Sequence, residues 1–211
     1  DGIRDSSTSR GLGDVYKRQQ YVDSLLFNPL GMNSSFFNPP KHKLKRVVPT
    51  EISAITNEVI LGYVHDENAF SIGGVAGHAG LFSTAMDIAK FSQMMLNNGL
   101  YGWKRFFKPE TVNQFTMKAN IVKESSRALG WDTPAGKSSG GVYLSDSSFG
   151  HTGFTGTSLW IDPDNNMFVI LFTNAVHPKR EYKNPKYFDW RQRIHSCLLY
   201  TSPSPRDVEE S

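Results

Sequence analysis

The run Gly150-His151-Thr152-Gly153-Phe154-Thr155-Gly156 sets a titratable ring, two hydroxyls and three glycines side by side. The strand-like Ser158-Leu159-Trp160-Ile161 follows it directly. Glycines let a ligand come close to the backbone, and N–H groups without bulky neighbours can serve an oxyanion. His151 adds a proton donor or acceptor, and Thr152 adds a hydroxyl. The same residues also suit a glycine-rich strand edge with a satisfied histidine. The run by itself does not separate these two readings.

Other patterns carry less. Gly136-Lys137-Ser138-Ser139-Gly140 has the letters of a G-x-S-x-G nucleophile elbow. That chemistry needs a strand before the serine and a helix after it, whereas Pro134 and Gly141 flank this one and favour a loop. Gly130 to Ser138 approaches a P-loop, with five residues between the glycines where four are required. His65, His78, His151 and His177 show no i, i+4 chelating pair, so no metal site is expected. His65-Asp66-Glu67 offers an acid and a base, but adjacent residues on a strand or loop point apart. Loop bracing suits them at least as well.

Composition bounds the classes. The 211 residues are 38% hydrophobic, 12% aromatic and 20% charged, which is ordinary for a soluble globular domain. No apolar run has the length of a membrane span. A net charge of +3 is small and dispersed, so no nucleic-acid partner is expected. The densest basic run, Lys41 to Arg46, follows Pro39-Pro40 and reads as a solvated loop. Residues 1–19 and 197–211 are polar and aperiodic, and they resemble translated sequencing adapters. They are expected to be non-native tails around a domain spanning residues 20–196. The sole cysteine, Cys197, falls in the second tail, which leaves no disulfide, zinc thiolate or cysteine nucleophile in the domain.

Helices and strands must position the glycine-rich run. Tyr21 to Phe27 reads as the end of a helix stopping at Asn28-Pro29. Residues 62–80 read as an ordered, glycine-rich loop system. The clearest helix is residues 85–97, with Thr84 and Asp87 as a capping-box-like start and Gly99 as its C-terminal stop. A second helix is expected over residues 109–117, with Pro109 in its first turn. Residues 148–153 and 157–161 read as strands. The turn Asp162-Pro163-Asp164-Asn165-Asn166 joins them to a third strand over residues 167–174, and residues 187–196 read as a closing helix.

Three blocks in fixed order go further. They are Phe27-Asn28-Pro29-Leu30-Gly31-Met32, the stretch from Val64-His65-Asp66-Glu67 through Gly73-Gly74-Val75-Ala76-Gly77-His78 to Thr84, and Gly150 to Gly156. Together they resemble the serine β-lactamase and penicillin-binding-protein-like superfamily, in its class C-like branch of esterases, D-aminopeptidases and carboxypeptidases. The chain is most similar to the version attached to family 3 glycoside hydrolases.

The resemblance implies an α+β, β-lactamase/transpeptidase-like fold, of which the chain would hold an incomplete, C-terminal part: an antiparallel sheet flanked by helices. It implies an acyl-enzyme mechanism on a peptide, ester or β-lactam carbonyl, no cofactor, no metal, and a periplasmic or cell-envelope parent. His151-Thr152-Gly153 would be the third signature box, with His for the usual Lys. His151 and Thr152 would face the substrate carboxylate or acyl group, Gly153 would keep the edge open, and the Phe154 N–H would be an oxyanion donor. The family nucleophile sits in a Ser-x-x-Lys box, and no such spacing occurs in this sequence. Tyr21-Val22-Asp23 and Tyr182-Lys183-Asn184 mimic the tyrosine box in letters but stand in the wrong order or spacing. The expectation is a fragment without hydrolytic turnover. The alternative is a non-catalytic module that binds or braces a glycoside hydrolase.

Overall fold

The computed structural model describes residues 12–135 and 138–201, with side chains from Lys17 onward. The Gly136-Lys137 start of the elbow-like motif and the outer parts of both expected tails lie outside the described residues. The described residues divide into two compact units: those up to Asp87 with His177–Lys179, and those from Ile88 to Val176 with those from Arg180 onward.

In the first unit, α1 (Leu12–Val22) runs through a π-helical segment (Asp23–Phe27) into the short α2 (Asn28–Leu30). The helix therefore passes the expected stop at Asn28-Pro29 and ends at Gly31, whose φ is 68°. The wider π turn resets the hydrogen-bond register, so Pro29 falls in the first turn of a new helical segment. A missing N–H costs nothing there. Phe27, Leu30 and Met32 are buried along this stretch, and Phe27 stacks on Phe37. Lys41–Arg46 forms a 3-10 helix rather than an irregular loop.

The glycine-rich stretch is ordered by a short helix and a carboxylate–imidazole hydrogen bond. The Asp66 carboxylate accepts from the Ala69 N–H at 2.7 Å and caps α3 (Glu67–Ser71). It also meets His78 Nε2 at 3.1 Å. The Ala69 bond, then the bond to His78, holds the Asp66 carboxyl below the usual carboxylate range. The neighbouring His65 pairs with the buried Glu51 at 3.2 Å. His65 and Asp66 thus point to separate partners and brace loops.

Helix α4 (Ala85–Leu96) starts as expected: the Asp87 N–H donates to Thr84 Oγ1 at 3.3 Å. The Asp87 side chain bonds elsewhere, accepting from the Ser34 N–H at 2.7 Å and Ser35 Oγ at 3.0 Å. It thereby pins the loop that follows the α1–α2 plug. The helix ends through the Gly99 N–H to Met94 O bond.

The second unit continues from that helix. A two-residue pair, β1 (Leu100–Tyr101) with β2 (Lys104–Arg105), precedes α5 (Pro109–Thr116). The sheet is three-stranded and antiparallel in the order β3 (Phe149–Thr152), β4 (Ser158–Asp162), β5 (Met167–Leu171). Its closing helix α6 (Tyr187–Thr201) runs past residue 196. Both faces of the sheet are buried here, with Trp160 and Val169 paired on one and Phe149 and Ile161 on the other. At the far end of β4, Asp162 is buried. Burial alone would raise its pKa, but bonds from the Ser145 hydroxyl and N–H and from Asn165 outweigh that and hold it low.

One polar contact ties α6 to the sheet. Ser158 Oγ and His195 Nε2 lie 2.8 Å apart, and both residues are buried. Burial, followed by the Arg191 charge, pushes the His195 pKa down to about 4. An unfolded chain takes up this proton near pH 6.5, where the folded chain refuses it until about pH 4. The stability contributed by neutral His195 is therefore complete above that range and falls away as the pH drops through it, by about 3 kcal/mol in all. Urea titrations between pH 7 and 4 check this: His195→Gln is expected to lose less stability than the parent chain over that window, and an identical loss in both contradicts it.

Candidate functional site

The site is built on the end of β3. In the β3–β4 register, Gly150 faces Trp160 and His151 faces Leu159. Side chains alternate across the sheet, so the Gly150 position meets the buried Trp160 ring, while His151 lies on the other face, beyond the buried Phe149, and is exposed. A Cβ on Gly150 would come within 2.4 Å of that ring.

The outer edge of β3 is partly covered. The Asp132 N–H donates to Gly150 O at 2.7 Å, and the Gly150 N–H donates back at 2.9 Å. Asp132 pairs in turn with Arg127 as an isolated bridge, and the Ala119 N–H donates to Arg127 O at 2.9 Å. This row carries the Arg127 side chain to the site. Its Nε lies 3.2 Å from the Asp132 carboxylate, and its Nη1 lies 2.9 Å from His151 Nε2.

A guanidinium only donates, so His151 Nε2 accepts. The ring proton then sits on Nδ1, which donates to Thr152 O at 2.9 Å. These two bonds select the Nδ1–H tautomer of His151, and Arg127 brings a permanent positive charge beside it.

Beyond Thr152, the turn Gly153–Gly156 has every carbonyl occupied. Gly153 O accepts from the Gly156 N–H at 3.1 Å, and Thr155 O accepts from the Ala175 N–H at 2.6 Å. Phe154 O accepts from Lys183 Nζ at 3.1 Å. Gly156 O accepts from Thr173 Oγ1 at 2.6 Å and from the Tyr187 hydroxyl. Gly156 needs its glycine: its φ is 124°, and a Cβ would approach Ala175 N and Thr173 O to 2.9 Å. At Gly153 the missing Cβ leaves room for Thr157 Oγ1, which would stand 2.2 Å from it. That side of Gly153 is filled by its own chain rather than open to an incoming one.

His151, Thr152, Gly153 and Phe154 are therefore contiguous at one sheet end, with Phe154 exposed. His65 and His78 pair with Glu51 and Asp66 in the first unit. Among the described residues no three His, Cys, Asp or Glu side chains converge as metal ligands. No described helix is long and apolar enough to cross a membrane. Arg127 and Lys183 escape the sequence reading, since each reaches the site from a distant loop. The only hint of Lys183 was a triplet set aside as a mimic of the tyrosine box.

Comparison with known proteins agrees with this architecture. A sequence model described as Beta-lactamase matches residues 12–192. The chain belongs to the Beta-lactamase family. It is 37% identical over 189 residues to an Escherichia coli (strain K12) protein named "Putative D-alanyl-D-alanine carboxypeptidase", covering 81% of this chain and 43% of that protein. A protein of the same name from Salmonella agona (strain SL483) is 37% identical over 187 residues, covering 79% and 42%. The chain thus spans less than half the length of these relatives. Solved structures share the fold. A β-lactamase from Mycobacterium bovis superimposes with a TM-score of 0.57 at 16% identity, covering 86% of this chain and 55% of its own. A penicillin-binding-protein homologue from Caulobacter crescentus gives 0.57 at 15%, covering 87% and 52%. Simvastatin synthase from Aspergillus terreus gives 0.61 at 17%, covering 88% and 51%. The β-lactamase/transpeptidase-like fold expected from the three sequence blocks is the fold observed, and the part present holds helices with small antiparallel sheets.

The tautomer of His151 is open to measurement. Long-range 1H–15N spectra of the imidazole at pH 8 are expected to show the proton on Nδ1. Arg127→Ala should release the ring toward the Nε2–H form, and an unchanged spectrum in that variant would show that Arg127 does not set it.

Proposed function

We propose that this chain supplies the oxyanion and carboxylate wall of a serine hydrolase that works through an acyl-enzyme. The observation that carries the reading is the turn after His151-Thr152, whose four carbonyls are all engaged by donors of its own chain. A turn held in this way fixes its peptide planes before any substrate arrives. In this reading the Phe154 N–H donates to the oxygen that gains negative charge as the carbonyl becomes tetrahedral. A donor already in place costs no reorganisation at that moment, which is where most of its catalytic value lies.

Thr152 and His151 line the same strand end. A substrate carboxylate would draw its attraction from Arg127, whose charge is permanent, with the Thr152 hydroxyl as a further donor. The substrate class is a peptide, ester or β-lactam carbonyl. The names of the E. coli and Salmonella relatives favour a peptide ending in D-alanine. The attacking serine and its lysine are assigned to sequence outside the 211 residues, since no Ser-x-x-Lys occurs within them.

The test is hydrolysis of nitrocefin, p-nitrophenyl acetate and a D-alanyl-D-alanine peptide. The 211-residue chain is expected to give no turnover above buffer, and the reading frame extended upstream through a Ser-x-x-Lys box is expected to be active. Turnover by the 211 residues alone overturns the assignment of the nucleophile. An upstream segment with neither the serine nor the tyrosine box overturns the enzyme reading in favour of a module that binds or braces a glycoside hydrolase.

A further inference from the structure

Of the four carbonyls in the turn Gly153–Gly156, three are held by groups with little freedom: backbone N–H groups for Gly153 and Thr155, and two half-buried hydroxyls for Gly156. The Phe154 carbonyl is different. Its donor is Lys183 Nζ, at the end of a long side chain that ordinarily samples many rotamers. Here the ammonium is confined. It lies 5.1 Å from the centre of the Phe154 ring, 5.6 Å from Tyr187 and 5.0 Å from Phe188. All three distances fall within the range in which an aromatic face attracts a cation.

The rings are themselves anchored. Tyr187 donates its hydroxyl to Gly156 O, and the buried Arg191 guanidinium lies 5.4 Å from the Tyr187 ring and 5.7 Å from Phe188. Lys183 and Tyr187 therefore hold the two successive ends of one turn from the same stretch of chain. Burial, with the Arg191 charge behind it, lowers the Lys183 pKa, as partial withdrawal of the ammonium from water requires.

We propose that Lys183 is a positioning residue for the candidate active site, acting through the Phe154 carbonyl to fix the peptide units on either side of Phe154. This rests on the oxyanion reading of the Phe154 N–H given above. Lys183 touches no reacting atom. Its carbonyl bond and its ring cage together set the backbone dihedrals of the residue whose N–H would face the developing charge.

The test uses Lys183→Met, which keeps the apolar stem and loses the donor and charge, and Lys183→Arg, which restores both. In the 211-residue chain, amide hydrogen exchange reads the turn directly, because the Gly153 and Gly156 N–H groups bond within it. Exchange at these two amides is expected to be roughly tenfold faster in the Met variant, to return in the Arg variant, and to leave the β4–β5 ladder unchanged. Unchanged exchange at Gly153 and Gly156 overturns the proposal, and so does acceleration spread equally over the ladder. In the extended, nucleophile-bearing reading frame, the Met variant is expected to lose roughly tenfold in kcat with KM unchanged. A loosened turn with full kcat supports the clamp and overturns the oxyanion reading instead.

Discussion

The register of β3 against β4 decides what the rest of the second unit can do. Gly150 faces Trp160 on one side of the sheet, and Phe149 faces Ile161 on the other, where His151 follows two residues on and is exposed at the strand end. A slip by one residue would drive the imidazole into the place of the Trp160 contact and move the glycine to the opposite face. The register is fixed by the bulk of Trp160, which accepts only a glycine opposite it. It is fixed again from the next strand, where Trp160 pairs with Val169. The polar tie between Ser158 and His195 then sets the closing helix against the same strand. A chemical group on the surface thus takes its direction from a packing requirement inside.

The charge at the site follows a similar logic. Arg127 brings a positive charge beside His151 from outside the strand, held by Asp132, which is itself bridged to Gly150. The cation is therefore mounted on the backbone row that also closes the edge of β3. A hydrogen-bonded row of this kind has fewer ways to move than a free surface side chain, and it leaves the imidazole as an acceptor with one defined tautomer.

Much of this was legible in the sequence where the signal is local. The turn Asp162–Asn166 between apolar runs gave the β4–β5 hairpin, and Thr84, Asp87 and Gly99 marked the ends of α4. The reading failed where a second influence intervened. Asn28-Pro29 looked like a stop because proline excludes the helical hydrogen bond, yet the preceding π turn supplies a register in which that bond is not needed. Lys41–Arg46 looked like solvent-bound charge, and its basic side chains are indeed largely outside, but its backbone is a 3-10 helix. Arg127 and Lys183 could not be read at all, because each acquires its role only from a partner 24 or 29 residues away.

The side-chain donors that hold the turn Gly153–Gly156 lie well downstream of it: Thr173 by 17 residues, Lys183 by 29 and Tyr187 by 31. The His-Thr-Gly motif is accordingly not a portable unit. Transplanted with its own strands into another protein, it would bring the letters of the site without its geometry, since the chain that shapes it would be left behind. During synthesis the same dependence makes the turn one of the last parts of the sheet to acquire its final form. It cannot do so until the first turn of α6 has left the ribosome and docked. A search by the motif alone would therefore accept sequences that lack the donors shaping this turn, and a search that also asks for the downstream lysine and tyrosine would pass over them.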